Sequence, residues 1–312
     1  MDRQQLAGVS QPDQRHSVNT LAVFGAALLW GTMGPIAALY PAGSALGVAA
    51  WRLAIGALAL VAAVSCRRSG WVSWRRGELP IAGSGVLAVA AYSALYFPAV
   101  QLSGVATATV VSIGAAPLMA GATHAFHGGQ VDVRWLTSTG FAIAGMCMVV
   151  LPGSHDASNW LGVLLAVLAA VAYSWQAHAI ERLSDRHGPV ETVAVLFTGA
   201  ALLFLPITIA TSGVVRATPK AAAGLIYLGL FTTAVAYALF AFGVPHVGAP
   251  TAVSLSLIEP VAATILAAVI AHQVPSMLQI LGIATTLTSL AWVSARAPSA
   301  GPVAQTAQDS AG

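Results

Sequence analysis

The sequence predicts an all-α integral membrane protein: ten transmembrane helices arranged as two inverted five-helix repeats. Three observations predict it. The chain is far too apolar for water, its apolar residues fall in runs of bilayer length, and its two halves match at a constant offset. Of 312 residues, 57% are hydrophobic and 7% charged, with a mean hydropathy of +0.80. A soluble domain carries about 25% charged residues. A water-soluble fold of this length could not hide so much apolar surface, whereas a chain whose solvent is lipid need not. Barrel strands would give short alternating segments, so the long runs are helices.

A bilayer core about 30 Å thick takes roughly 20 residues of helix. The first run, 19–40, holds Trp30 and the helix-breaking pair Gly34 and Pro35 in "GTMGP". The second, 43–65, carries Arg52 near its middle, with Gly43 and Gly47 spaced for close helix contact. The third, 80–102, places Tyr92 and Tyr96 one helical turn apart. The fourth, 104–126, contains Thr109, Ser112 and Pro117, and ends near His124 and His127. The fifth is 135–152, and the sixth, 159–180, carries Tyr173, Trp175 and His178. Runs 190–211 and 221–244 follow, the latter with Tyr237. The ninth, 247–271, contains "SLSLIEPVAATI", with Ser254, Ser256, Glu259 and Pro260, and 276–296 closes the set. The joints "QLSGVA" and "PHVGAP" are very short. Residues 1–18 and 297–312 read as disordered polar tails, and the first run reads as a retained span instead of a cleaved signal.

Lys and Arg placement sets the orientation. With the N-terminus inside, the inner segments hold Arg3, Arg15, Arg67, Arg68, Arg75, Arg76, Arg134, Arg182, Arg186 and Arg296, and the outer loops only Arg216 and Lys220. Both termini are then cytoplasmic. A single lysine among thirteen basic residues suggests a GC-rich bacterial genome, hence the bacterial cytoplasmic membrane. The net charge of +3 is dispersed, which argues against a nucleic-acid partner. Cys66 and Cys147 form no framework and read as small buried residues. Neither a metal set nor a cofactor motif is present, so none is expected.

An offset of 143 residues lays Phe97 on Phe240, Val110 on Val253, Pro117 on Pro260 and Gln130 on Gln273. An odd number of helices per repeat inverts the second copy (19–152 and 159–296), a common plan in secondary transporters. Such carriers keep their polar groups near mid-depth. Glu259 is the one acid deep in a span; a charge there costs about 3 kcal/mol on insertion scales. It must meet a partner, face water or carry its proton, and proton coupling is its functional reading. The alternative is a hydrogen bond tying two helices. Arg52 lies at similar depth and suits a substrate carboxylate, in a forked grip, or a pairing with Glu259; the alternative is snorkelling. Its isolation disfavours highly anionic cargo. Trp30, Tyr92, Tyr96, Tyr173, Trp175 and Tyr237 could wall a cavity or merely pack. Ser256 could offer a hydroxyl or bond its own helix. Gly34, Pro35, Pro117 and Pro260 are helix-break candidates, breaks being tolerated where backbone lines a cavity or neighbours satisfy it. His178 reads as structural.

"LLWGTMGPIAALY", "WRLAIGALAL", "LYFPAVQLSGVATATVVSIGAAPLMAG" and the stretch "LIYLGLFTTAVAYALFAFGVPHVGAP" continuing to "VPSMLQILG" resemble the drug/metabolite transporter superfamily, EamA type. The resemblance implies a ten-helix carrier with a central cavity that exports small metabolites or amino acids. One departure stands out. Where members often carry a Gly-Glu-Arg-like turn after the fourth and ninth spans, this chain reads "HGGQVD" and "AHQVPS", with Gln130 and Gln273 in place of the acid. The absence of GxxxxGK[ST], HExxH and GxSxG argues against ATP hydrolysis and intramembrane proteolysis. Uptake, exchange and a non-transporting sensor are the alternatives, and a homodimer is left open.

Overall fold

The structure is a computed structural model describing residues 11–39, 44–67, 71, 73–151, 159–212, 218–271 and 275–294. These residues form helices joined by short turns, with no strand among them. In order they are α1 (Gln11–Gly31), α2 (Met33–Leu39), α3 (Ala45–Ser65), α4 (Leu79–Phe126), α5 (Val133–Val150), α6 (Trp160–His187), α7 (Pro189–Leu203), α8 (Leu205–Thr211), α9 (Pro219–Gly229), α10 (Ala236–Val247), α11 (Ala249–Leu255), α12 (Ile258–Ala271) and α13 (Met277–Ser294). Among the described residues nine helical stretches are long and apolar enough to cross a membrane, and the bent pair α7–α8 brings the number to ten. Large apolar side chains such as Leu58, Leu87, Phe141 and Val269 are exposed along the outside, as lipid contact requires. This is a multi-pass helical membrane protein.

The ends and joints follow local chemistry. α1 starts at Gln11, so residues 11–18, expected in the polar tail, are helical; Pro12 suits a first helical turn. Residues 1–10 and the whole C-terminal tail lie outside the described residues, as do Gly43 and Gln273. Spans three and four form α4, broken at Gly104, whose φ is 79°. Gly188 and Gly248 turn the chain with φ of 79° and 81°, a conformation open essentially to glycine alone. Each short joint thus turns on one residue. The seventh span, read as the single run 190–211, bends by 58° between α7 and α8, because Pro206 can start a helix but cannot continue one.

Two further breaks sit inside spans. Thr32 separates α1 from α2, and Ser256 and Leu257 separate α11 from α12. Between α9 and α10 the helix widens into a π turn, Leu230–Val235. There the Thr232 and Thr233 hydroxyls both donate to the Leu228 carbonyl, at 2.7 and 3.1 Å.

The core is assembled from α4 against α6, α5 against α13, α3 against α7, and α1 against α10 and α12. Small residues set the closest approaches. A Cβ on Gly56 of α3 would lie 2.5 Å from Thr233 Cγ2 and 3.0 Å from the Gly229 carbonyl. Gly47 packs on Thr211 of α8 in the same manner. Arg134 fastens α5 to α13: its guanidinium donates to the Trp292 carbonyl at 2.6 Å and stacks 5.7 Å above that indole.

These contacts separate glycines by consequence. Gly56→Val overpacks the α3 crossing and is expected to cost about 1–3 kcal/mol. Gly140→Ala, where an added Cβ meets nothing within 4 Å, is expected to gain up to about 1 kcal/mol from helix propensity. Thermal unfolding of the two variants in detergent checks the pair: a lowered midpoint for the first and an equal or higher one for the second.

Candidate functional site

The middle of the bundle is built where α1 meets α12. A Cβ on Gly31 would stand 2.6 Å from Ala262 Cβ and 2.8 Å from the Glu259 carbonyl. Glycine therefore lets α1 lie directly on the α12 backbone, beside Glu259. The preceding residue, Trp30, donates its indole N–H to the Thr232 carbonyl in the π turn at 3.0 Å. Around that indole stand Tyr237 at 4.8 Å, Phe240 at 5.5 Å and Tyr173 at 6.2 Å between ring centroids. Tyr173 continues to Tyr92 at 5.6 Å, which stacks on Tyr96 at 5.5 Å with the rings 10° from parallel. Tyr237 also meets Phe197 at 4.3 Å.

Several hydroxyls of this region are tied down. Tyr173 donates to Ser256 Oγ at 3.2 Å, and Ser256 Oγ donates to the Val253 carbonyl at 2.7 Å. Tyr96 and Thr109 share a hydrogen bond of 3.0 Å between the two arms of α4. Thr139 and Ser254 are likewise joined at 3.0 Å.

Two charges face this polar and aromatic wall. Arg52 is 3% exposed. Its Nη1 points at Met33 Sδ, 3.1 Å away, and its Nε has no partner. A thioether is a weak acceptor, so among the described residues the guanidinium is buried without the carboxylate or carbonyl that such a group ordinarily finds. Glu259, at the start of α12, is partly accessible although protein surrounds it. Among the described residues its carboxylate makes no ion pair or side-chain hydrogen bond. It interacts electrostatically with Arg52 across the interior, as well as with Tyr92, Tyr96, Tyr173 and Tyr237. The two charges thus share one region without joining.

The structure brings together Glu259, Arg52, Trp30, Tyr92, Tyr96, Tyr237 and Ser256. Trp175 stands apart. Its ring contacts are His127 at 6.3 Å and His178 at 5.3 Å, because it faces away from Tyr173 on α6. His178 Nδ1 lies 3.7 Å from Glu181, whose carboxylate also accepts the Ala249 N–H at 3.2 Å. The break candidates divide. Pro260 sits in the first turn of α12, just after a real break; the Ser256 carbonyl, which a proline at 260 cannot satisfy, accepts the Glu259 N–H at 2.9 Å. Pro35 similarly occupies the first turn of α2, and the break falls at Thr32, whose hydroxyl bonds the Leu29 carbonyl at 2.7 Å and Tyr227 at 3.0 Å. Gly34 is exposed within α2. Pro117 leaves its helix continuous.

Sequence reasoning passed over Gln176 and Met33. Gln176 is 1% exposed and beside the Tyr237 hydroxyl, yet its amide makes no well-formed hydrogen bond. An uncharged amide deep in the sixth apolar run was the available signal. Met33 offered none, since its importance comes only from lying under Arg52. No group of three His, Cys, Asp or Glu side chains among the described residues could hold a metal.

Comparison with known proteins completes the picture. A model of the EamA-like transporter family matches residues 19–151 and again 160–295. The "Uncharacterized transporter YwfM" of Bacillus subtilis (strain 168) is 32% identical over 281 residues, covering 89% of this chain and 94% of that protein. A crystal structure superposes with a TM-score of 0.78 over 90% of this chain and 99% of its own, at 23% identity, a likeness of fold. With both of its halves matched and 32% of the aligned residues identical to that relative, the chain belongs to the EamA-like transporter family.

Proposed function

We propose that this transporter is a secondary carrier that exports small metabolites or amino acids across the bacterial cytoplasmic membrane by alternating access, with both termini cytoplasmic and Glu259 as the proton-exchanging group. The observation that carries the reading is the buried Arg52 guanidinium, which among the described residues has no counter-charge in contact, in the same region as a Glu259 that among them makes no ion pair. Burying two opposite charges apart from one another is costly unless something polar lies between them at some stage. A small molecule with a carboxylate fits the arginine, whose fork matches two oxygens. An ammonium or a proton fits the glutamate. The tyrosines and Trp30 supply apolar faces and hydroxyl tips for the remainder of the cargo. The charge bias of ten inner basic residues against two outer ones supports the orientation.

The same reading takes the halves as inverted repeats, and contacts support it. Exchange of halves at the offset of 143 carries the contact of Gly31 with the Glu259 carbonyl onto that of Ser174 with the Ala116 carbonyl, 2.7 Å. It carries Gly56 against Gly229 onto Val86 against Gly199. The pair Trp30 and Tyr173 maps onto itself, which is where a two-fold axis in the membrane plane would pass. The two small-residue crossings are then the surfaces on which the halves rock about the central charges.

In proteoliposomes loaded with labelled amino acids, Glu259→Gln is expected to abolish transport driven by a pH gradient while counterflow persists; gradient-driven transport at the native rate would remove Glu259 from coupling. Arg52→Gln is expected to weaken cargo binding by about 1.5–3 kcal/mol, roughly 10- to 150-fold in apparent affinity, with Arg52→Lys recovering only part, as measured by concentration dependence of counterflow. Equal affinities in all three proteins would remove the carboxylate grip.

A further inference from the structure

A second region outside the central cluster combines features that no transport step uses. At the end of the bundle where Arg75, Arg76, Arg182 and Arg186 gather, a pocket of about 370 Å³ is lined by Ser73, Arg75, Glu78, Arg186 and His187. Glu78 is its organiser. Its Oε1 accepts from Arg186 Nη1 at 3.1 Å, and its Oε2 accepts the Arg75 backbone N–H and meets His187 Nε2, each at 2.9 Å. The His187 ring stacks flat on Trp74, 3.9 Å away and 3° from parallel. One carboxylate therefore holds one of the guanidinium's donors, and among the described residues no other bond to that guanidinium is found. The Arg186 side chain is 62% exposed. Two arginines against one carboxylate leave the pocket net positive.

Along the same two helices runs an apolar groove of about 390 Å³, with Leu87, Ala91 and Leu95 of α4 on one wall and Leu168, Val171 and Trp175 of α6 on the other. The groove and the pocket share a face. On α6, positions 168, 175, 182 and 186 recur at seven and four residues, so Arg182 and Arg186 prolong the line that forms the groove wall. Leu168, Val171 and Leu87 are exposed on that side, which in this membrane protein means exposed to lipid. Trp175 and Arg186 are eleven residues apart, about 16 Å along the helix. That interval suits a glycerol linkage and the first methylenes between a phosphate and an acyl chain.

We propose that the α4–α6 edge is a binding site for one anionic phospholipid, its phosphate held by Arg75 and Arg186 and an acyl chain laid in the groove between Leu87–Leu95 and Leu168–Trp175. A basic pocket between transmembrane helices is suited to anionic headgroups, and a soluble anion would have no use for the groove. The site depends on the membrane placement alone and stands whether or not the central charges carry cargo.

Native mass spectrometry of the full chain, purified with equal phosphatidylglycerol and phosphatidylcholine, tests this. Wild type is expected to retain phosphatidylglycerol in preference. The double variant R75Q/R186Q is expected to lose at least tenfold of that retention. Ala91→Phe, which fills the groove and leaves both arginines in place, should lose it too, whereas Arg67→Gln, exposed at the end of α3, should keep it. Excess inorganic phosphate should not displace the lipid. Unchanged retention in R75Q/R186Q or in Ala91→Phe overturns the proposal, as does displacement by inorganic phosphate. Melting curves establish that each variant is folded, and if the arginine pair fails to fold, Ala91→Phe decides alone.

Discussion

The approach of α1 to the backbone of α12 is the contact on which the interior depends. Gly31 permits it, since any side chain there would occupy the space of Ala262 and the Glu259 carbonyl. Three things follow from that closeness. The breaks in the first and ninth spans come side by side, Trp30 is delivered to the π turn of the eighth span, and Glu259 enters the interior at the first turn of α12. A single glycine thereby converts two interrupted helices into one polar locus.

Interrupting a helix in hydrocarbon is tolerable only when each released backbone group finds another partner. The structure meets that condition at each break with short-range chemistry. Thr32 and the Thr232–Thr233 pair return their hydroxyls to carbonyls of their own helix, and the Ser256 carbonyl is taken by the N–H of Glu259 through a tightened turn. The Trp30 indole uses the widened turn as an acceptor. Hydrogen bonding is made through much of the aromatic cluster, and among the described residues three polar groups beside it stand out as incomplete: Arg52, Glu259 and the Gln176 amide. Among the described residues Arg52 has a sulfur for a neighbour, and Glu259 feels the charge of that arginine without pairing with it. Those are the groups with most to gain from a passing polar molecule.

A different electrostatic solution holds at the arginine-rich end. There Glu78 is saturated by Arg186, His187 and the Arg75 backbone, and the ring of His187 is clamped by Trp74. The cluster ties the start of α4 to the end of α6, the most extensive helix pairing in the molecule, and turns the outer face of those helices basic just where their apolar groove ends.

Composition and run length by themselves determined that this chain lives in a membrane as a helical bundle, because apolar excess and the 1.5 Å rise per residue leave no other solution. They also determined which charges were anomalous: Arg52 and Glu259 are conspicuous in any reading of so apolar a sequence, and a proline shortly after a polar residue marked the break before α12. Tertiary structure alone decided what those groups face. Tyr173 and Trp175 are two residues apart, yet opposite faces of α6 send one to the centre and the other to the lipid-side groove. Gln176 and Met33 acquired their places only through neighbours more than a span away. The 58° bend at Pro206, the π turn, and the failure of Pro117 to break its helix depended on local packing that hydropathy does not encode. Periodicity reports how a segment meets an apolar medium; it carries no record of which helix lies opposite, and a binding site is made of such opposites.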